Sequence, residues 1–201
     1  RDLLRSRGLG DVYKRQSVNG TTLGEEIKNS AKWTQNIITD KSNPVFNAGS
    51  IAVLKGTLAP NSAIIKQSAA TESLLIHEGR AVVFEGLEDL ANRIDRDDLD
   101  VTKDDVLVLK SIGPKGGPGM PEAGLIPIPK NLAKQGVKDM VRISDGRMSG
   151  TASGTIILHV TPESYENGPL AIVENGDLIK LDVPKRKIDL MISEEEIAER
   201  L

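Results

Sequence analysis

The apolar residues of this chain come in short runs broken by turn signals, and that pattern limits the folds open to it. Ile51–Leu54, Ala63–Lys66, Arg80–Glu85, Val106–Leu109, Met140–Ile143, Ile156–Val160, Leu178–Leu181 and Lys187–Met191 are each four to six residues long. Lys55-Gly56, Ala59-Pro60-Asn61 and longer Gly/Pro stretches separate them. Runs of that length, rich in β-branched residues and bounded by Gly, Pro and Asn, predict strands. Leu170–Ile172 reads as one more strand, with Glu174-Asn175-Gly176-Asp177 as a hairpin turn after it. Helical spacing appears over Thr22–Lys32, Leu87–Ile94 and weakly Ile128–Gln135. Ser193 with Glu196 three residues on is a capping-box pattern that opens a last helix. The expected class is mixed α/β, a β-rich barrel or strongly curled sheet flanked by helices.

Composition narrows the function. The 201 residues carry 26 Lys+Arg, 29 Asp+Glu and no Cys, and aromatics are 2%. The core is therefore aliphatic. Without Cys there is no disulfide framework, thiolate zinc site or Cys nucleophile, and no iron–sulfur cluster held by this chain alone. A net charge of −3 gives no pull toward nucleic acid or anionic membrane. No apolar stretch approaches the 18 residues of a membrane span.

Residues 1–16 stand apart. They hold five basic and two acidic side chains without helical or strand periodicity, and Asp11–Gln16 (DVYKRQ) looks like a translated sequencing adapter. They are set aside as an expected non-native scar. Residues 17–201 then form one domain, expected to be cut short at its C-terminal end.

Two glycine-rich loops are the candidates for chemistry. Gly113–Glu122 (GPKGGPGMPE) packs four Gly and three Pro into ten residues. Such a backbone suits neither helix nor sheet and lets a ligand approach the main chain. It is neither a P-loop nor a dinucleotide fingerprint. Its one carboxylate, Glu122, is either solvated or offered to a hard cation such as Mg²⁺. Ser144–Thr155 (SDGRMSGTASGT) combines hydroxyls with small residues between two predicted strands. Ser149 precedes Gly150, so its hydroxyl is expected on an exposed turn, but the Gly-x-Ser-x-Gly elbow is absent. His77 and His159 read as structural imidazoles. Asp145 and Arg147 read as an internal ion pair holding the loop. The residues by themselves lead to an oxygen-ligand site made by two loops, and no further.

Together the loops, with Ile157–Glu163 (ILHVTPE) and Gly49–Ser68 (GSIAVLKGTLAPNSAIIKQS), resemble the C-terminal domain of the dihydroxy-acid and sugar-acid (aldonate) dehydratases. The resemblance runs from Ser17 to Leu201. It implies a β/β/α swivelling barrel that closes over an active site whose iron–sulfur cysteines and most Mg²⁺ ligands lie in a missing N-terminal domain. By that resemblance Glu122 is a Mg²⁺ ligand and Ser149 the catalytic base. Thr151 is a hydroxyl beside the base, and Ser149, Thr151 and Met120 contact substrate. The implied reaction removes water from a 2,3-dihydroxy acid to give a 2-keto-3-deoxy acid. Met148 and Thr151 stand where the branched-chain amino-acid branch usually has Phe and Gly, which favours the sugar-acid branch. The full-length protein is expected to be cytoplasmic, a homodimer or homotetramer. The isolated chain is expected to be inactive. The alternatives are a branched-chain-pathway dihydroxy-acid dehydratase and a non-catalytic module that binds polyhydroxy acids.

Overall fold

The structure is a computed structural model that describes residues 12, 14–28, 30–31, 37–40, 42–120, 122, 126–150 and 152–200. The chain divides into two compact units, Arg1–Val45 and Phe46–Leu201. In the first, helix α1 (Leu23–Lys28) is shorter than the spacing predicts. It starts on a reciprocal cap. The Glu25 amide donates to Thr22 Oγ1 at 3.3 Å, and the Thr22 amide donates to Glu25 Oε2 at 2.8 Å. None of its residues is buried, so its apolar side chains gain no packing that would extend it.

The second unit is built on eight strands: β1 (Ala52–Leu54), β2 (Ser62–Ile65), β3 (Ile76–Phe84), β4 (Val106–Leu109), β5 (Arg142–Ser144), β6 (Ile156–Thr161), β7 (Leu178–Asp182) and β8 (Lys187–Leu190). They form one sheet in the order β1-β2-β6-β5-β4-β3-β7-β8. The central strands β6, β5, β4 and β3 are parallel, and the flanking pairs are antiparallel. A parallel bridge between Lys55 and Lys187 joins the two ends, so the sheet curls into a nearly closed barrel. Closure removes the exposed edges of an open sheet. Gly56 makes the seam possible, because a Cβ there would lie 2.0 Å from the Ile188 carbonyl oxygen.

Period-two alternation sorts the side chains into two cores. Ala81, Val83, Val106, Val108, Ile143 and Ile157 point into the barrel with Leu54, Ile65, Ile179 and Ile188. Val82, Phe84, Leu107 and Leu109 point outward. There they pack against Leu90 and Leu132 of helices α2 (Leu87–Arg93) and α3 (Lys130–Lys134). VLVL thus faces two cores at once, which explains a run with no polar alternation.

Two expectations need correction. Leu170–Ile172 is not a strand but part of a 3₁₀ turn, Pro169–Ile172. Pro169 lacks an amide for a ladder, and Leu170, Ile172 and Val173 belong to the buried core cluster of the barrel interior. The turn at Glu174–Asp177 is not a hairpin between strands. It continues the pairing of β3 past the end of β7: the Ala81 amide donates to the Asp177 carbonyl at 2.8 Å, and the Val83 amide to Asn175 Oδ1 at 2.7 Å. The hairpin joins β7 and β8. The last helix, α4 (Glu194–Arg200), forms where the capping pattern places it, with the Glu196 amide on Ser193 Oγ at 3.1 Å. Ile197 packs on the barrel core, and Arg200 pairs with Asp177 at 2.7 Å.

Candidate active site

Parallel strands β4, β5 and β6 end at one edge of the sheet, with Leu109 directly opposite Ser144. Both glycine-rich loops leave from that edge. In α/β sheets the carboxyl ends of parallel strands are where ligands bind.

Asp145, 1% exposed, ties the three strand ends together. Its carboxylate accepts hydrogen bonds from the backbone amides of Ser111 (3.2 Å), Ile112 (3.1 Å) and Ser164 (2.9 Å). Glu163, after β6, fixes the first loop by accepting from the amides of Lys115 (2.9 Å) and Gly116 (3.2 Å). Gly113 lets that carboxylate approach, since a Cβ there would lie 2.3 Å from Glu163 Oε2. Lys115 also pairs with Glu166. The ion pair expected between Asp145 and Arg147 does not form. Asp145 spends its oxygens on main-chain amides, and Arg147 Nε donates to the Met120 carbonyl at 2.9 Å.

That last bond brings the loops together. Met120 is half-buried, with φ of 45°, and lies two residues before the exposed Glu122. Arg147 lies two residues before Ser149, which is half-exposed. The Ser149 carbonyl accepts the Ala152 amide at 2.9 Å, so Ser149 opens a tight turn. Thr151 lies outside the described residues. Met148 is buried in the outer core. His77 Nε2 contacts the Asp104 carbonyl at 2.8 Å, at the start of β3 and before β4, the opposite end of the parallel strands from the loops. His159 has φ of 54° and lines a cleft of about 390 Å³ with Asp145, Glu163 and Glu166.

Beneath the loops lies a buried charge hub. Arg142, 2% exposed, donates to the carbonyls of Ile126 (3.0 Å) and Ser153 (3.3 Å) and to Asp139 Oδ1 (2.7 Å). It therefore touches the foot of each loop. Asp139 accepts from the Thr71 hydroxyl (2.7 Å), the Thr155 hydroxyl (2.8 Å) and the Thr155 amide (2.9 Å). Burial acts to raise the Asp139 carboxyl, but the bonds from Thr71 and Thr155 and the Arg142 charge outweigh it and hold it below its ordinary value. Burial pulls Arg142 below its ordinary value, against the attraction of Asp139, and a guanidinium still remains charged. The sequence reading missed this hub. Its signal was a single Arg inside an otherwise apolar strand, which demands an internal partner.

Among the described residues no three acidic or histidine side chains converge on one point. Glu122 offers one exposed carboxylate, an oxygen donor of the type Mg²⁺ takes. Residues 36–201 match the family described as dihydroxy-acid/6-phosphogluconate dehydratase C-terminal. The chain belongs to this family. The chain is 49% identical to an L-arabinonate dehydratase of Rhizobium leguminosarum, over 92% of this chain and 32% of the relative. It is 53% identical to a putative dehydratase of Rhizobium meliloti, over the whole chain and 36% of that protein. A dihydroxy-acid dehydratase of Carboxydothermus hydrogenoformans is 44% identical, over 92% of the chain and 33% of the relative. The chain thus spans about a third of the length of the curated relatives it matches.

Proposed function

We propose that this domain belongs to a hydro-lyase that dehydrates a sugar acid of the aldonate class to its 2-keto-3-deoxy acid. The observation that carries this reading is the junction of the two loops through Arg147 and Met120, with Glu122 and Ser149 each two residues beyond it. Ser149, on its turn and in alkoxide form, is the base that takes the C2 proton while the C3–O bond breaks, and it passes that proton to the departing hydroxide, which leaves as water. The enol so formed then tautomerises to the keto acid. Thr151 supplies a neighbouring hydroxyl, and Met120 lies against the substrate. Glu122 is the residue of this chain that would hold Mg²⁺, and a Mg²⁺ bound there supplies a Lewis acid for the substrate's oxygens. An iron–sulfur cluster in the intact protein would take its thiolates from outside this chain, which has no Cys. The intact protein is proposed to be cytoplasmic and a homodimer or homotetramer. The sugar-acid reading is favoured over the branched-chain one by identities of 49% and 46% to L-arabinonate (L-arabonate) dehydratases against 44% to a dihydroxy-acid dehydratase. The test is Ser149→Ala in the full-length protein, assayed on L-arabinonate and on branched 2,3-dihydroxy acids. Turnover is expected to vanish while substrate binding survives, and undiminished turnover would remove Ser149 from the role of base.

A further inference from the structure

We propose that Lys66 is a positioning residue for Ser149, an inference that rests on the reading of Ser149 as the base. Strand β2 runs antiparallel to β6, with Ile65 opposite Ile157. The segment leaving β2 therefore passes beside the end of the loop that leads into β6. It grips that loop at three levels. Lys66 Nζ donates to the Gly150 carbonyl at 3.2 Å. The Gly154 amide donates to the Ala69 carbonyl at 2.8 Å. The Thr71 amide donates to Thr155 Oγ1 at 3.1 Å, and the Thr71 hydroxyl to Asp139.

The first contact matters most for chemistry. Gly150 is the second residue of the turn that Ser149 opens and the Ala152 amide closes. The Gly150 carbonyl takes no part in that closing bond, so it can swing without breaking it. Glycine at the second position widens that freedom, and a Cβ on Gly150 would meet nothing within 4 Å, so packing does not limit it. Among the described residues the Lys66 ammonium is the donor to this carbonyl. A charge-assisted hydrogen bond is stronger than a neutral one, which suits a clasp at Gly150, the point of the turn without packing of its own. With the turn held, Ser149 Oγ keeps one approach to the substrate proton, and misplacement by an ångström is costly to rate rather than to binding.

The test is Lys66→Met and Lys66→Arg in the full-length protein, with L-arabinonate as the assay substrate and amide hydrogen exchange at Ala152 as a second readout. Lys66→Met is expected to lower kcat at least tenfold with KM within twofold of the parent, and to speed Ala152 exchange at least tenfold. Lys66→Arg, which keeps a cationic donor, is expected to restore most of both. Parental kcat or parental Ala152 exchange in Lys66→Met overturns the proposal. So does a loss that Lys66→Arg fails to rescue. If Ser149→Ala keeps its turnover, the base assignment falls instead, and the exchange readout still reports on the clasp.

Discussion

Arg147 donates its Nε–H to the Met120 carbonyl across 2.9 Å, joining loops that start from adjacent parallel strands. The bond lies two residues before Glu122 in one loop and two before Ser149 in the other, positions 27 residues apart in sequence. A hydrogen bond from a charged donor contributes about 1.5–3 kcal/mol, and exposure puts this one at the low end. Arg147→Ala in the full-length protein should therefore lower kcat/KM about tenfold with the melting temperature within a few degrees of the parent. Steady-state kinetics beside a thermal melt would show it. A variant with parental kcat/KM would mean that the loops keep their places without this bond.

Asp145 predicts the opposite balance. Its buried carboxylate satisfies three main-chain amides from two other strand ends, so Asp145→Ala strands donors that water reaches poorly. Each unsatisfied buried group costs about 1–3 kcal/mol, so a total loss of at least about 3 kcal/mol is expected. Asp145→Asn keeps one acceptor oxygen and should lose less. Urea denaturation of both variants checks the order, and equal losses would contradict the role given to the carboxylate.

These residues show where sequence reading succeeds and where it stops. VLVL was legible as a buried strand because its length and β-branched content leave few alternatives. The helix at Leu87 was legible because its apolar residues recur at helical spacing. Strand β3 was read only from Arg80 on. Its first residues, Ile76 to Gly79, alternate without a clear apolar face, since antiparallel pairing to β7 rather than burial holds them. Leu170–Ile172 was misread because a short apolar run plugging a barrel looks like a strand. The loops were legible from their Gly and Pro content. What Asp145 and Arg147 do was not, because backbone amides and carbonyls are partners that no side-chain pattern announces.

The Arg142–Asp139 pair gives a double-mutant prediction. Removing one member of a buried pair leaves the other charge unpaired and costs about 3–5 kcal/mol. Arg142→Met and Asp139→Asn should each destabilise strongly. The double variant should lose clearly less than the two single losses combined, because neither charge is then stranded. Additive losses would show that each residue acts alone through its contacts to main chain and threonines.

Acid stability should follow Asp139. Its carboxyl lies below the ordinary value in the fold, so its unfolded form binds the proton more readily. The stabilisation is then fully present above the unfolded value, about 3.9, and is lost as pH falls through the folded one. A plot of melting temperature against pH should fall more steeply below about pH 4 in the parent than in Asp139→Asn. Parallel curves would remove Asp139 from the acid limb.

The barrel seam offers the sharpest steric test. A Cβ on Gly56 would sit 2.0 Å from the Ile188 carbonyl oxygen and 2.3 Å from Asp189 Oδ1. The first contact is main chain in β8 and cannot rotate away. Gly56→Ala must therefore push the end of β1 from β8, where the Lys55 amide donates to the Arg186 carbonyl at 3.0 Å and the Ile188 amide to the Lys55 carbonyl at 3.2 Å. The Asp189 carboxylate would also leave the Thr57 amide, its partner at 2.8 Å. Overpacking of this kind costs about 1–3 kcal/mol, and the lost seam bonds put Gly56→Ala at the upper end. Gly49→Ala is the control, because its Cβ would meet only the Ile51 carbonyl, at 3.9 Å, and it should stay within about 0.5 kcal/mol of the parent. Denaturant melts of the two variants decide the point. Equal stabilities would mean that the barrel closes without the close approach at Gly56.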